Sequence, residues 1–244
     1  YGNGKGVRKS HRTAAMWMEK SAKQGHIDAQ NQLGVMYHNG IFYIKSANTA
    51  VTWFTKAAEQ GHADAQVWLG NMYSSGEGVQ KDVIQAASWY RKAADQGHAL
   101  AQYNLGSMYA IGDGVPEDNA EAVKWYRKAA DQGLAKVQVN LGLMYNNGEG
   151  VPENHAEVVK WYRRDADQGL AKAQYTLGYM YATGAGAPEN SINAYVWWSM
   201  AKTQGEPSAA TNLDILKPQM TKQQISQAQT LAAKCYEPDY KYCD

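Results

Sequence analysis

Between His98 and Gly133 the small and apolar residues fall in two runs with helical spacing. The first comprises Ala101, Leu105, Gly106, Met108 and Tyr109, on one side of a 3.6-residue period. It predicts a helix, A, from His98 to Ala110. Gly112 and Gly114 stop it, and Pro116 blocks any continuation. The second run, Ala122, Trp125, Tyr126, Ala129 and Ala130, follows i, i+3, i+4, i+7, i+8 and predicts a helix, B, that ends at Gly133. Asp118 with Glu121 three residues on forms a capping box at its start. Neither helix can bury its stripe alone, so the pair has to stack against neighbours.

Those neighbours are copies of the same unit. Trp17, Trp53, Trp89, Trp125, Trp161 and Trp197 stand 36 residues apart. Gly25, Gly61, Gly97, Gly133, Gly169 and Gly205 keep the same step, as do Leu33-Gly34, Leu69-Gly70, Leu105-Gly106, Leu141-Gly142 and Leu177-Gly178. The cap position recurs as Ser10, Ser46, Asp82, Asp118, Asn154 and Asn190, all types whose side chain can accept from an orphan amide. The period predicts an all-α chain: an α/α solenoid, a right-handed superhelix of 36-residue helix-turn-helix repeats. Within it the tryptophans are expected to be packing residues, and Gly106 to admit a neighbouring backbone. The residue after each helix-B glycine (His26, His62, His98, Leu134, Leu170) is expected to fold back onto the last turn.

The unit Ala101, Leu105-Gly106, Tyr109, Gly112, Gly114-Val115, Ala122, Trp125-Tyr126, Lys128-Ala129-Ala130, Gly133 closely resembles the Sel1-like repeat family, a relative of the tetratricopeptide repeat, in its bacterial type. The likeness covers about 1–205, in units near 26–61, 62–97, 98–133, 134–169 and 170–205. Residues 206–244 read as a degenerate repeat and C-terminal cap. Leu213 keeps the period, and Thr221 with Gln224 opens a final helix from Lys222 to about Cys235. Tyr1, Gly4 and Gly6 fall 72 before Tyr73, Gly76 and Gly78, so the chain is expected to begin inside a repeat, as a fragment or processed form.

Charge narrows the function. With 24 basic and 23 acidic residues the formal charge is +1, which leaves no electrostatic footprint for nucleic acid. No apolar run approaches the roughly 20 residues of a membrane span. Cys235 and Cys243 are the only cysteines; they either close a small disulfide loop in an oxidising compartment, the preferred reading, or remain free thiols.

No catalytic constellation is found, and no metal or cofactor is expected. Gly2-x-Gly4-x-Gly6 with Lys5 imitates a phosphate loop, but its register makes it an inter-helix loop and no Gly-Lys-Ser/Thr closes it. His26, His62 and His98 are one position copied, so stacking sets them roughly 10 Å apart, too far to share an ion at bonds of roughly 2 Å. Two departures from the repeat stand out. Asp165 replaces the alanine of Ala57, Ala93 and Ala129 on the packed stripe and is expected to pair with a nearby arginine. Ile41-Phe42-Tyr43-Ile44 replaces the usual Glu-Gly-Val loop, for self-packing or as a contact surface.

By analogy with tetratricopeptide arrays, helix A lines a concave side, and its variable positions are free to specialise. They include Asp28, Asn31, Val35, His38, Asp64, Val67 and Leu100, and the partner-binding candidates Asn71, Tyr103, Ser107, Val139, Leu143, Asn146, Tyr175 and Tyr179. Tyrosines beside small polar groups suit a peptide groove. The resemblance implies a non-catalytic scaffold that binds a peptide or protein partner, without nucleic acid or membrane insertion, in a periplasmic or secreted bacterial protein with a role such as host interaction. A monomer is the expected state. The alternative is a cell-wall or small-molecule binder with weak or no hydrolytic activity.

Overall fold

The computed structural model of the chain describes residues 11–152 and 154–235. Among these, thirteen α-helices follow one another and no strand occurs. The B helices are α1 (His11–Lys23), α3 (Ala47–Glu59), α5 (Val83–Asp95), α7 (Asn119–Asp131), α9 (His155–Asp167) and α11 (Ser191–Thr203). The A helices are α2 (Ile27–Asn39), α4 (Ala63–Ser75), α6 (Ala99–Ile111), α8 (Ala135–Asn147), α10 (Ala171–Thr183) and α12 (Pro207–Leu216). A 3-10 turn, Lys217–Gln219, leads into α13 (Lys222–Cys235). The chain is thus an all-α array of helix-turn-helix repeats. Its helices fall into two compact units, Tyr1–Gln132 and Gly133–Asp244. Within each unit every A helix packs on the B helix that follows it and every B helix on the next A helix; in the second, α13 also packs on α11.

Local chemistry sets the helix ends. Ser46, Asp82, Asp118, Asn154 and Asn190 each accept a backbone N–H two or three residues on, worth about 1 kcal/mol apiece; Ser10 lies outside the described residues. At the far end of α3 the Gly61 N–H donates to the Ala58 carbonyl and the His62 N–H to the Ala57 carbonyl. This is the paired bonding of a Schellman end, with Gly61 left-handed at φ +95°. His62 then has a second task that periodicity did not show. It is the N-cap of α4, its Nδ1 accepting from the Ala65 N–H at 3.4 Å, and His98 does the same for α6. One residue therefore ends helix B and starts the next helix A.

Three features of the core differ from expectation. Gly34, Gly70, Gly106, Gly142 and Gly178 admit an aromatic ring, and at Gly106 the expected backbone approach is present beside the ring, the Ala122 carbonyl oxygen lying 3.2 Å from where a Cβ would sit. A Cβ on Gly70 would lie 2.4 Å from Tyr90, and one on Gly106 would lie 2.8 Å from Tyr126. The rings that fill the hairpins are accordingly Phe54, Tyr90, Tyr126, Tyr162 and Trp198, one residue after the periodic tryptophans. The tryptophans themselves are uneven. Trp125 and Trp197 are buried, Trp53, Trp89 and Trp161 are half-buried, and Trp17 is exposed. Lysines three residues on lie over Trp17, Trp53, Trp89 and Trp125, with Lys92 and Lys128 each 3.9 Å from the ring centroid.

Buried glutamines join successive repeats. Gln30, Gln66, Gln102 and Gln174 donate at 3.1 Å to the carbonyls of Ala22, Ala58, Ala94 and Ala166, near the end of the preceding B helix. Each also accepts from the glutamine thirty residues on: Gln60, Gln96, Gln132 and Gln204. Each of these carboxamides has a partner at both its nitrogen and its oxygen, which explains how a polar group sits in these interfaces between hairpins. The signal was present in the sequence as Ala-Gln and Gln-Gly dipeptides on the 36-residue step.

Candidate interaction surface

The variable positions of the A helices divide into tethered and exposed ones. In the first unit, Asn71 accepts from the Tyr90 hydroxyl at 2.7 Å and Ser107 from the Tyr126 hydroxyl at 3.0 Å. Both side chains therefore tie helix A to the B helix of their own repeat. Tyr103 lies beside the same ring, centroids 5.8 Å apart.

In the second unit, Tyr175 is half-buried. Its carbonyl accepts from the Trp198 indole N–H at 3.0 Å and its hydroxyl from Asn212 at 3.3 Å. Leu143 and Tyr179, by contrast, are 50% and 53% exposed. Ile215, 58% exposed on α12, continues the same register, 36 residues after Tyr179 and 72 after Leu143. The second unit thus presents one apolar position from each of α8, α10 and α12. Sequence reasoning missed Ile215 because the repeat signature degenerates beyond residue 205, although the period alone would have reached it. Val139 and Asn146 are on α8, but their side chains lie outside what is described.

Six consecutive Sel1 repeats match, at residues 1–26, 27–62, 63–98, 99–134, 135–170 and 171–206. The chain belongs to the Sel1 repeat family. The matched frame starts one residue later than the units read from the sequence. A Sel1 repeat protein from Oxalobacter formigenes has a similar structure, with 31% identity and a TM-score of 0.73 over 90% of this chain and 99% of that one. A protective antigen present in uropathogenic Escherichia coli strains, displaying an SLR fold, is 29% identical with a TM-score of 0.55. That comparison covers all of this chain and 60% of the antigen. No curated protein matches the chain. Sel1 repeat proteins generally act as protein-interaction scaffolds rather than catalysts.

The aberrant Sel1 loop at Ile41–Ile44 does two things at once. Tyr43 turns inward, stacking on Tyr37 at 4.5 Å and donating to the Ala15 carbonyl and to Glu19 Oε2. Burial raises its hydroxyl pKa to about 12, and the Glu19 carboxylate adds to the shift. Ile41, Phe42 and Ile44 remain exposed. Phe42 holds φ at +64°, the one non-glycine residue with positive φ among those described. Its counterparts Gly78, Gly114, Gly150 and Gly186 hold the same conformation without strain. Phe42→Gly is therefore expected to stabilise the first unit by about 1 kcal/mol, read as an upward shift of its urea midpoint.

Asp165 is not paired as expected. It is fully buried, and neither carboxylate oxygen has a hydrogen-bond partner. Arg163 is instead engaged with Asp167 at 2.9 Å and lies over the Trp197 ring. Arg164 is near enough only to offset part of the burial effect, which carries the Asp165 pKa up to about 7. Among the described residues no three His, Cys, Asp or Glu side chains come together in a way that could hold a metal, and no helix is long and apolar enough to cross a membrane. Cys235 is buried and disulfide-bonded; Cys243 lies outside the described residues.

Proposed function

We propose that this chain is a non-catalytic scaffold that holds a peptide or protein partner along the exposed face of its A helices, and that it works as an exported bacterial protein. One observation carries the reading. Leu143, Tyr179 and Ile215 are half or more exposed at a single register position, while the repeat's fixed positions around them are consumed by packing. A tyrosine flanked by two aliphatic side chains offers rigid contact area at low entropic cost. Export is supported by the disulfide at Cys235, a bond that persists in oxidising compartments. The protective antigen among the similar structures accords with it.

The test is a triple variant, Leu143→Ser, Tyr179→Ala and Ile215→Ser. Each change is at an exposed position away from the core, so the melting curve should be nearly unmoved. Affinity capture from the native bacterial envelope, read by mass spectrometry, should recover partner at least about tenfold less well than with the unaltered chain, a loss of about 1.4 kcal/mol. Equal recovery would count against the A-helix face. Tyr175 is left intact because its hydrogen bonds to Asn212 and Trp198 belong to the fold.

A further inference from the structure

The first unit holds a cleft of about 380 Å³ between α2, α4 and α6. Its walls are apolar at Val35, Val67 and Leu100, with Trp68 beside them. Trp68 departs from the repeat: later units carry Asn104, Asn140 and Thr176 at that register. Its ring stacks on Phe54 at 5.4 Å and is not one of the periodic indoles.

Two polar groups of the cleft, Asn31 and Asp64, offer an acceptor to an incoming donor. Asn31 is only 5% exposed, lines the cleft, and its Oδ1 has no hydrogen-bond partner. A buried carboxamide left in this state costs stability unless something outside the protein completes it. Asp64, on the rim, is met by His98 Nε2 at 2.9 Å. The N-cap fixes which way that bond runs. His98 Nδ1 accepts from the Ala101 N–H, which leaves Nε2 to donate to Asp64 Oδ1. The Asp64 side chain is still 62% exposed beside the cleft, with room to accept a second donor. No lysine or arginine lines the cleft.

The geometry points to a lysine or arginine side chain of an extended peptide as the occupant of this cleft, its stem against Val67, Leu100 and Trp68 and its head group donating to Asp64 and Asn31. This identifies a partner chemistry for the scaffold reading above, and rests on it. A long basic side chain suits such a site because it carries apolar methylenes and a charged donor on one stem, and an aromatic wall favours the cation.

The experiment is selection of a displayed random decapeptide library on the whole chain, followed by affinity measurement of the selected peptides at two salt concentrations. Basic residues should be enriched at one fixed position. Asp64→Asn should weaken the selected peptides about tenfold and flatten their salt dependence. Asn31→Leu should weaken them as well while leaving the melting temperature equal or higher, because it replaces an unpaired buried amide by an apolar group of similar size. A purely structural Asn31 would show the opposite, a lower melting temperature with binding intact. Selection of peptides without basic enrichment, or basic peptides indifferent to Asp64→Asn, would overturn the cleft assignment and leave the scaffold reading standing. Free arginine binding as tightly as the selected peptides would overturn a peptide occupant. Retention of no peptide at all would overturn both.

Discussion

Gly114→Ala is expected to cost about 4 kcal/mol of stability, whereas Gly97→Ala is expected to cost about 1 kcal/mol. Both glycines lie in the first unit and both have positive φ, +73° and +90°. At Gly97 a new Cβ would meet nothing within 4 Å, so only the left-handed backbone is penalised. At Gly114 the same atom would sit 2.3 Å from the Val83 carbonyl oxygen and 2.6 Å from its carbon. Met108 Cε, at 3.0 Å, can move aside; the carbonyl belongs to the first turn of α5 and cannot move without shifting the helix. Gly114 is thus where the loop of one repeat rests on the B helix of the repeat before it. Gly78 and Gly186 take the same seat, over Ala47 and His155. The two midpoints in urea, with m unchanged, would check this. Equal costs would mean that close approach is not what the second loop glycine provides.

That distinction marks how far the sequence could be read. Gly112 and Gly114 both announce a helix stop, and both do have positive φ. The first caps α6, its N–H on the Met108 carbonyl. The second is a contact between repeats, and nothing in the local pattern separates the two roles. The repeat unit, its caps and the final helix were legible because each is a short-range signal copied several times. Burial was less so. A fixed period marks residues that are the same from repeat to repeat, and the tryptophans are of that kind whether a lysine lies over them, as at Trp89 and Trp125, or an arginine, as at Trp197. The buried position after each takes Phe54, Tyr90, Tyr162 or Trp198, because a glycine opposite leaves room for any ring. The candidate site was legible in part. Variable A-helix positions could be named, but whether a side chain faces solvent or a tyrosine hydroxyl, as at Asn71 and Ser107, depends on the partner helix. Asn31 and Asp64 gain meaning only when α2, α4 and α6 bring them to one cleft.

The other large effect runs in the opposite direction. Asp165→Ala restores the residue found at Ala57, Ala93, Ala129 and Ala201, and is expected to stabilise the second unit at pH 8 by at least the roughly 4 kcal/mol that the titration alone costs. Burial holds the folded carboxyl near pKa 7, against an ordinary value of 3.8. Between those values the folded chain binds a proton that the unfolded chain has released. Stability must therefore fall as pH rises, by about 1.4 kcal/mol per pH unit, from about pH 4 until the carboxyl ionises in the fold near pH 7, and then level off. The end of α9 adds to the penalty, since a carboxylate near a helix C-terminus opposes the dipole. Below pH 4 the gain from alanine shrinks to the cost of burying an unpaired neutral acid, about 1–3 kcal/mol. Asp165→Asn separates the two contributions, because it keeps a buried polar group and removes the titration. Its stability should lose the slope between pH 4 and 7 while staying below that of Asp165→Ala throughout. Thermal melts of the three proteins across pH 4 to 8 decide the matter. A slope that survives in Asp165→Asn would place the titrating group elsewhere.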